Sequence, residues 1–219
     1  MNCLRPLTRL PLFMMITCIL TSALFFAGCG IKNDYTKKQM YRLSAEVNDP
    51  ADPSNRSAGV PLVVRRLDIS PEFGGAGFVY RVDQNRFTQD YYNNYMTPPA
   101  RMISDVMFEA LVNSPQFAAV PKNRIPDDIF QLWGKITALY CDRRSASAVS
   151  AVVSMALNLD RLHKDGFTPV LAKTYSAQIP LGSDTTPQAY IQALNRGLAE
   201  IVKNILSDFK QLPTPTDTP

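Results

Sequence analysis

The 219 residues, 191 once the N-terminal leader described next is set aside, fit one domain of ordinary size with a sizeable core. The formal charge of +4 falls to +2 without that leader, and the basic residues form no dense block: Arg65-Arg66 and Arg143-Arg144 are only pairs. That excludes a nucleic-acid surface of the usual kind.

The chain opens on a leader. Arg5 and Arg9 give a positive start with no acidic residue, and Leu10 to Phe26 form an apolar run. Leu24-Phe25-Phe26-Ala27-Gly28-Cys29-Gly30 then reads as a lipobox, with Phe26, Ala27 and Gly28 beside the cut and Cys29 the first residue of the product. A plain transmembrane anchor is the competing reading. The run is about 17 residues, near the lower limit for spanning, and an anchor has no need of a small-small-Cys ending. On the lipobox reading Cys29 carries diacylglycerol on its sulfur and an acyl group on its amine, and no other cofactor is expected. Gly30 stands where lipoproteins retained at the inner membrane commonly have Asp, which points to the outer membrane. Cys3 and Cys18 leave with the leader, so Cys141 is the one remaining thiol and no intrachain disulfide can form. A lone thiol in an oxidising compartment is expected to be buried.

Residues 29–39 are a short polar tether, and 40–210 a single domain. Met40 to Val47 reads as a first strand; 48–59 are almost all turn formers. Val60 to Ile69 is β-rich up to Pro71, and the glycine-rich Glu72 to Gly77 is a turn. Phe78 to Val82 and Arg86 to Tyr92 read as a hairpin across Asp83-Gln84-Asn85. Thr97-Pro98 has the form of an N-cap followed by proline, and Met102, Ile103, Val106, Met107, Ala110 and Leu111 then recur at helical spacing as far as Asn113. Residues 116–121 look like a short strand.

Three long strands follow. Phe130, Leu132, Gly134, Ile136, Ala138 and Tyr140 form one face of the first. Ala151, Val153, Met155, Leu157 and Leu159 form one face of the second, and Val170 to Ile179 is the third. Short links at 144–149 and Lys164-Asp165-Gly166 make them an antiparallel meander. Thr186-Pro187 repeats the cap signal before a helix of about 23 residues, with Tyr190, Ile191, Leu194, Leu198, Ile201, Val202, Ile205 and Phe209 in one stripe. Residues 211–219 are a polar Pro/Thr tail expected to be disordered. The fold class is α+β: a mixed, largely antiparallel sheet with two main helices packed on one face.

Catalytic constellations are thin. His163 is the only histidine, and no Gly-x-Ser-x-Gly elbow is present. One histidine and one thiol cannot supply a usual zinc site. Gly74-Gly75-Ala76-Gly77 joins two strands, unlike a phosphate-binding loop, which opens a helix. Asp127-Asp128 can hold a cation or do acid/base work, but a helix or strand start is the plainer role. The chain therefore reads as a binding module, not an enzyme, with no metal site. Two features can carry binding. One is the aromatic set Phe78, Tyr80, Phe87, Tyr91, Tyr92 and Tyr95, which either forms a docking or oligomer surface or packs the hairpin into the core. The other is the C-terminal stripe, which either meets a neighbouring subunit or packs on the sheet.

A lipobox, Tyr41-Arg42-Leu43, a strand ending near Ile69-Ser70-Pro71, Phe78-Val79-Tyr80-Arg81, Asp90-Tyr91-Tyr92-Asn93-Asn94-Tyr95 and Pro98-Pro99-Ala100-Arg101-Met102-Ile103 follow one another in this order. The arrangement resembles the ABC-type transport auxiliary lipoproteins of the paraquat-inducible protein C type. It covers most of residues 29–208, with its recognisable residues concentrated in 60–112. The resemblance implies a non-enzymatic lipoprotein, lipid-anchored at the outer membrane and facing the periplasm. It would dock the MCE-domain periplasmic subunit of an ABC transporter that moves lipids or other hydrophobic compounds. Ring-like association of copies would suit that role, and the docking surface would include the segment from Phe78 to Tyr95. An envelope-assembly or structural lipoprotein, supporting a secretion channel or surface polymer, is the alternative.

Overall fold

The computed structural model describes residues 36–45, 60–114, 117–120 and 128–211; the leader, Cys29, most of the tether, the 46–59 loop, Asp127 and the Pro/Thr tail lie outside them. The described residues from Lys37 onward form one unit. Its strands, among the described residues, are β1 (Gln39–Tyr41), β2 (Val60–Val64), β3 (Asp68–Ile69), β4 (Gly77–Arg81), β5 (Phe87–Tyr95), β6 (Phe117–Ala119), β7 (Ile129–Asp142), β8 (Ser150–His163) and β9 (Gly166–Pro180). Its helices are α1 (Pro99–Val112) and α2 (Pro187–Phe209).

The organising strand is β7. Along one edge it pairs antiparallel with β8 over its whole length, and β8 pairs antiparallel with β9, which gives the expected meander. Along its other edge β2, β3 and β4 lie in succession, all parallel to it. β5 returns antiparallel to β4, and β1 and β6 pair parallel to β5 and β2. The long ladders are antiparallel and the short ones parallel, so the sheet is mixed and largely antiparallel.

Both helices cover the same face. The inward residues of β8 (Ala151, Val153, Met155, Leu157, Leu159) are all buried, as are all eight stripe residues of α2. Each fully buried Leu or Ile contributes about 1.5–3 kcal/mol, so this stripe is a large share of the stability. The whole of it is used inside the chain. Lys173 Nζ and Tyr175 Oη, on β9, both reach Asp208 Oδ2, at 2.7 and 2.6 Å, and fasten the end of α2 to the sheet.

Four expectations are corrected. The first strand ends at Tyr41. The stretch from Val60 to Ile69 is two strands, because the chain turns at 65–67 to drop Leu67 into the core, where Ser104 Oγ of α1 accepts its amide at 2.9 Å. β7 carries a bulge between Ile136 and Ala138. An extra residue in one strand reverses the alternation beyond it, so Leu139 and Cys141 face the core and Ala138 and Tyr140 do not. Finally, α1 begins at Pro99 with Pro98 as its cap, and Thr97 caps nothing. Thr186 does cap α2, its Oγ1 accepting the amide of Ala189 at 3.2 Å.

Gly134 lies on the core face of β7. A Cβ there would overlap the Ala156 carbonyl oxygen and stand 2.9 Å from Leu157 Cδ2, so only glycine lets β7 and β8 close at this level.

Candidate docking surface

Strand alternation divides the six aromatic residues. On β4, Phe78 and Tyr80 point to the helices while Val79 and Arg81 point away. Phe78 is fully buried and packs against Tyr41, Tyr95 and Tyr190, with ring centroids 5.0, 4.9 and 5.2 Å away. The hydroxyls of Tyr95 and Tyr190 meet at 3.3 Å, and burial pushes both well above the ordinary tyrosine range. Phe78, Tyr80 and Tyr95 are therefore core residues, and the expected surface loses them. Phe87, Tyr91 and Tyr92 remain exposed, in two separate places.

Phe87 is on the open face of the sheet, opposite the helices. Its ring meets Phe73 and Tyr140 edge-on at 6.1 and 5.6 Å, and the Arg81 guanidinium lies 5.7 Å from it. The β7 bulge is what brings Tyr140 to this side. Further down β7, between inward Leu132 and Gly134, Trp133 stands on the same face, 42% exposed, its Nε1 donating to Asp160 Oδ2 at 2.6 Å. Trp133 was not among the residues expected here; its outward position follows from the alternation of Leu132 and Gly134.

Tyr91 and Tyr92 sit at the β1–β5 edge, where Asp90 builds an irregularity. Between the pairs Val79–Gln89 and Gly77–Asn94, β5 advances five residues while β4 advances two. Asp90 holds the surplus. Its Oδ1 accepts the amides of Tyr92 and Asn93 at 2.8 and 3.0 Å; its Oδ2 accepts Tyr80 Oη and Asn93 Nδ2, both at 2.8 Å. Burial works to raise the Asp90 carboxyl, but the Asn93, Tyr80 and Tyr92 donors outweigh it and hold it below the usual carboxylate range. The same bonds push Tyr80 up, after burial as the larger cause. Gly77 completes the seat, since a Cβ there would collide with the Asp90 carbonyl. Held this way, the Tyr91 and Tyr92 rings face solvent, 67% and 45% exposed and edge to face at 5.2 Å, with Lys38 Nζ 4.1 Å from the Tyr91 centroid. The Asp90-x-x-Asn93 spacing was the available signal, being that of a local side-chain-to-backbone turn.

The other candidates from the sequence lie elsewhere. Asp128 makes a bidentate pair with Arg161, at 2.6 Å between Oδ2 and Nη2, and the Arg161 bonds hold its carboxyl low. His163 is exposed at the β8–β9 turn and meets Thr168 Oγ1 at 3.0 Å. Cys141 is fully buried, and burial pushes its thiol up although Arg143 opposes this. Two grooves flank α1. One, of about 320 Å³, is lined by residues that include Arg42, Met96 and Asp105; the other, of about 650 Å³, by residues that include Arg66, Ile69 and Lys135. Among the described residues there is no group of three metal-ligating side chains, and no helix is long and apolar enough to cross a membrane.

The model of the family described as ABC-type transport auxiliary lipoprotein component matches residues 41–206. Comparison with curated proteins gives no significant match. Among solved structures, an uncharacterized protein superposes with a TM-score of 0.62 at 15% identity, covering 78% of this chain and 98% of its own. A Xanthomonas campestris protein of the DUF330 family gives 0.61 at 19% identity, covering 77% and 92%. At these identities the two structures share the fold.

Proposed function

The chain belongs to the ABC-type transport auxiliary lipoprotein component family, and from that premise we propose an anchored docking role for it. Lipid on Cys29 holds the domain at the periplasmic face of the outer membrane. There it docks the MCE-domain periplasmic subunit of an ABC transporter and assists transfer of lipids or other hydrophobic compounds across the envelope. The role is non-enzymatic, and a ring of copies suits it.

The observation that carries this reading is the open sheet face. Its Phe87 and Trp133 are 43% and 42% exposed on the side the helices leave bare, and large aromatic side chains left in water on one face are characteristic of protein contact surfaces. Of the expected docking set, Phe87 is the member that belongs to this face. The test is a photocrosslinking residue placed at 87 or 133 in the full-length protein in cells. Capture of an MCE-domain subunit is expected. Capture of a secretion-channel protein would instead support the envelope-assembly role, and an MCE subunit captured only from other positions would move the docking site elsewhere.

A further inference from the structure

We propose that Tyr91 and Tyr92, with Lys37 and Lys38, form a second membrane contact: a tyrosine–lysine platform lying in the headgroup layer of the bilayer that holds Cys29. The proposal rests on the reading of Cys29 as the lipidated residue. It goes beyond that reading by assigning a bilayer-facing edge to the folded domain itself.

The platform is built. The extra residues of β5 form a segment whose backbone amides and side chains converge on Asp90, and whose remaining side chains, Tyr91 and Tyr92, are turned to solvent. The Asp90 carboxylate is engaged by its four donors, so the outward chemistry is two phenol rings and the Lys38 ammonium over one of them. Beside it, Met40 on β1 is 58% exposed and Lys37 is exposed. Tyrosine places its ring in the apolar part of a membrane interface and its hydroxyl in the wet part. Lysine lays its stem along the same boundary with the ammonium among phosphates.

Position favours a bilayer over a protein partner. Lys38 follows Cys29 by nine residues, which reach at most about 32 Å when fully extended. The intervening sequence has the same character: Lys32, Tyr35 and Lys37 against a single Asp34. A partner-docking surface has no need to adjoin the anchor, whereas a bilayer contact does. Because the platform is at the β1–β5 edge, contact there stands the sheet on edge. Both its faces then remain in the aqueous space, and Phe87 and Trp133 stay accessible.

The experiment uses the full-length protein isolated from envelopes and reconstituted into vesicles of phosphatidylcholine, brominated on its acyl chains, and phosphatidylglycerol. Trp133 is the only tryptophan, so Tyr91→Trp in a Trp133→Phe background places one fluorophore on the platform, and Tyr92→Trp gives a second, independent placement. Emission from either is expected to be lost to bromine quenching and to be less quenched after Lys37→Gln and Lys38→Gln, while Trp133 of the unaltered protein keeps its emission. Unquenched emission from both placements, in protein whose N-terminal peptide carries acyl chains by mass spectrometry, overturns the platform alone. An N-terminal peptide without lipid overturns the Cys29 reading and the platform with it. A crosslinker at 91 that captures an envelope protein in place of lipid also overturns the proposal.

Discussion

Removing the Asp90 carboxylate leaves four donors without this acceptor, two of them the backbone amides of Tyr92 and Asn93. Unsatisfied groups of this kind cost about 1–3 kcal/mol, so Asp90→Ala is expected to lose about 2 kcal/mol in urea unfolding. Asp128→Ala, which breaks a half-exposed pair with Arg161, should lose about 0.5–1 kcal/mol. The carboxyls of Asp90, Asp128, Asp142 and Asp208 are all held below their ordinary value by their donors. Groups lowered in the folded state add stability that is fully present above the unfolded carboxylate value, about 4, and is lost as pH falls through the lowered folded values. Unfolding midpoints measured at successive pH values should therefore fall steeply below about pH 4, and less steeply in Asp90→Asn; an unchanged slope in that variant would remove Asp90 from the account. The inward placement of Phe78 and Tyr80 was legible from alternation with Val79 and Arg81. The outward placement of both Tyr91 and Tyr92 was not, because hydrogen bonds to the Asp90 side chain reset the alternation after Gln89.

Both helices follow a Thr-Pro pair, yet only one threonine is a cap. A residue before proline is pushed out of the helical region. Pro98 precedes Pro99 and is accordingly extended, at ψ 128°, so α1 starts one residue later than the Thr97-Pro98 signal suggests. Before α2 a single proline follows Thr186, whose Oγ1 reaches the Ala189 amide. Thr186→Ala should cost about 1 kcal/mol by thermal or urea unfolding, and the exposed Thr97→Ala less than about 0.5 kcal/mol; equal losses would show that Thr97 caps after all. The long periodic elements β8 and α2 were legible because every inward position is apolar. The β7 bulge was not: Ala138 and Leu139 are both apolar, so the pattern fits either register, and pairing with β8 decides between them. Gly134→Ala, which forces a methyl group against the β8 backbone, is expected to lose about 2–3 kcal/mol in urea unfolding, within the range of overpacked cores.

At the scale of the molecule, the α+β class could be read from the chain, but the sheet order could not. The parallel pairing of β2, β3 and β4 along one edge of β7 joins segments far apart in sequence, and nothing local encodes it. The proposed tie of the domain to a membrane is also beyond the fold and rests on Cys29. Thiol counting tests it directly. The unprocessed chain has four cysteines. On the lipoprotein reading, cleavage before Cys29 would remove two, and thioether formation would mask Cys29 itself. That would leave Cys141, fully buried, its thiol pushed up by burial, and so poorly reactive while the protein is folded. Protein purified from envelopes should accordingly give no fast reaction with a thiol reagent when native and one equivalent when denatured. Two equivalents on denaturation would mean cleavage without lipid, and four would mean that the leader is retained. Cys29→Ser is the complementary arm: envelope fractionation should find the protein no longer in the membrane, and an unlipidated variant that stays there unchanged would refute the anchor.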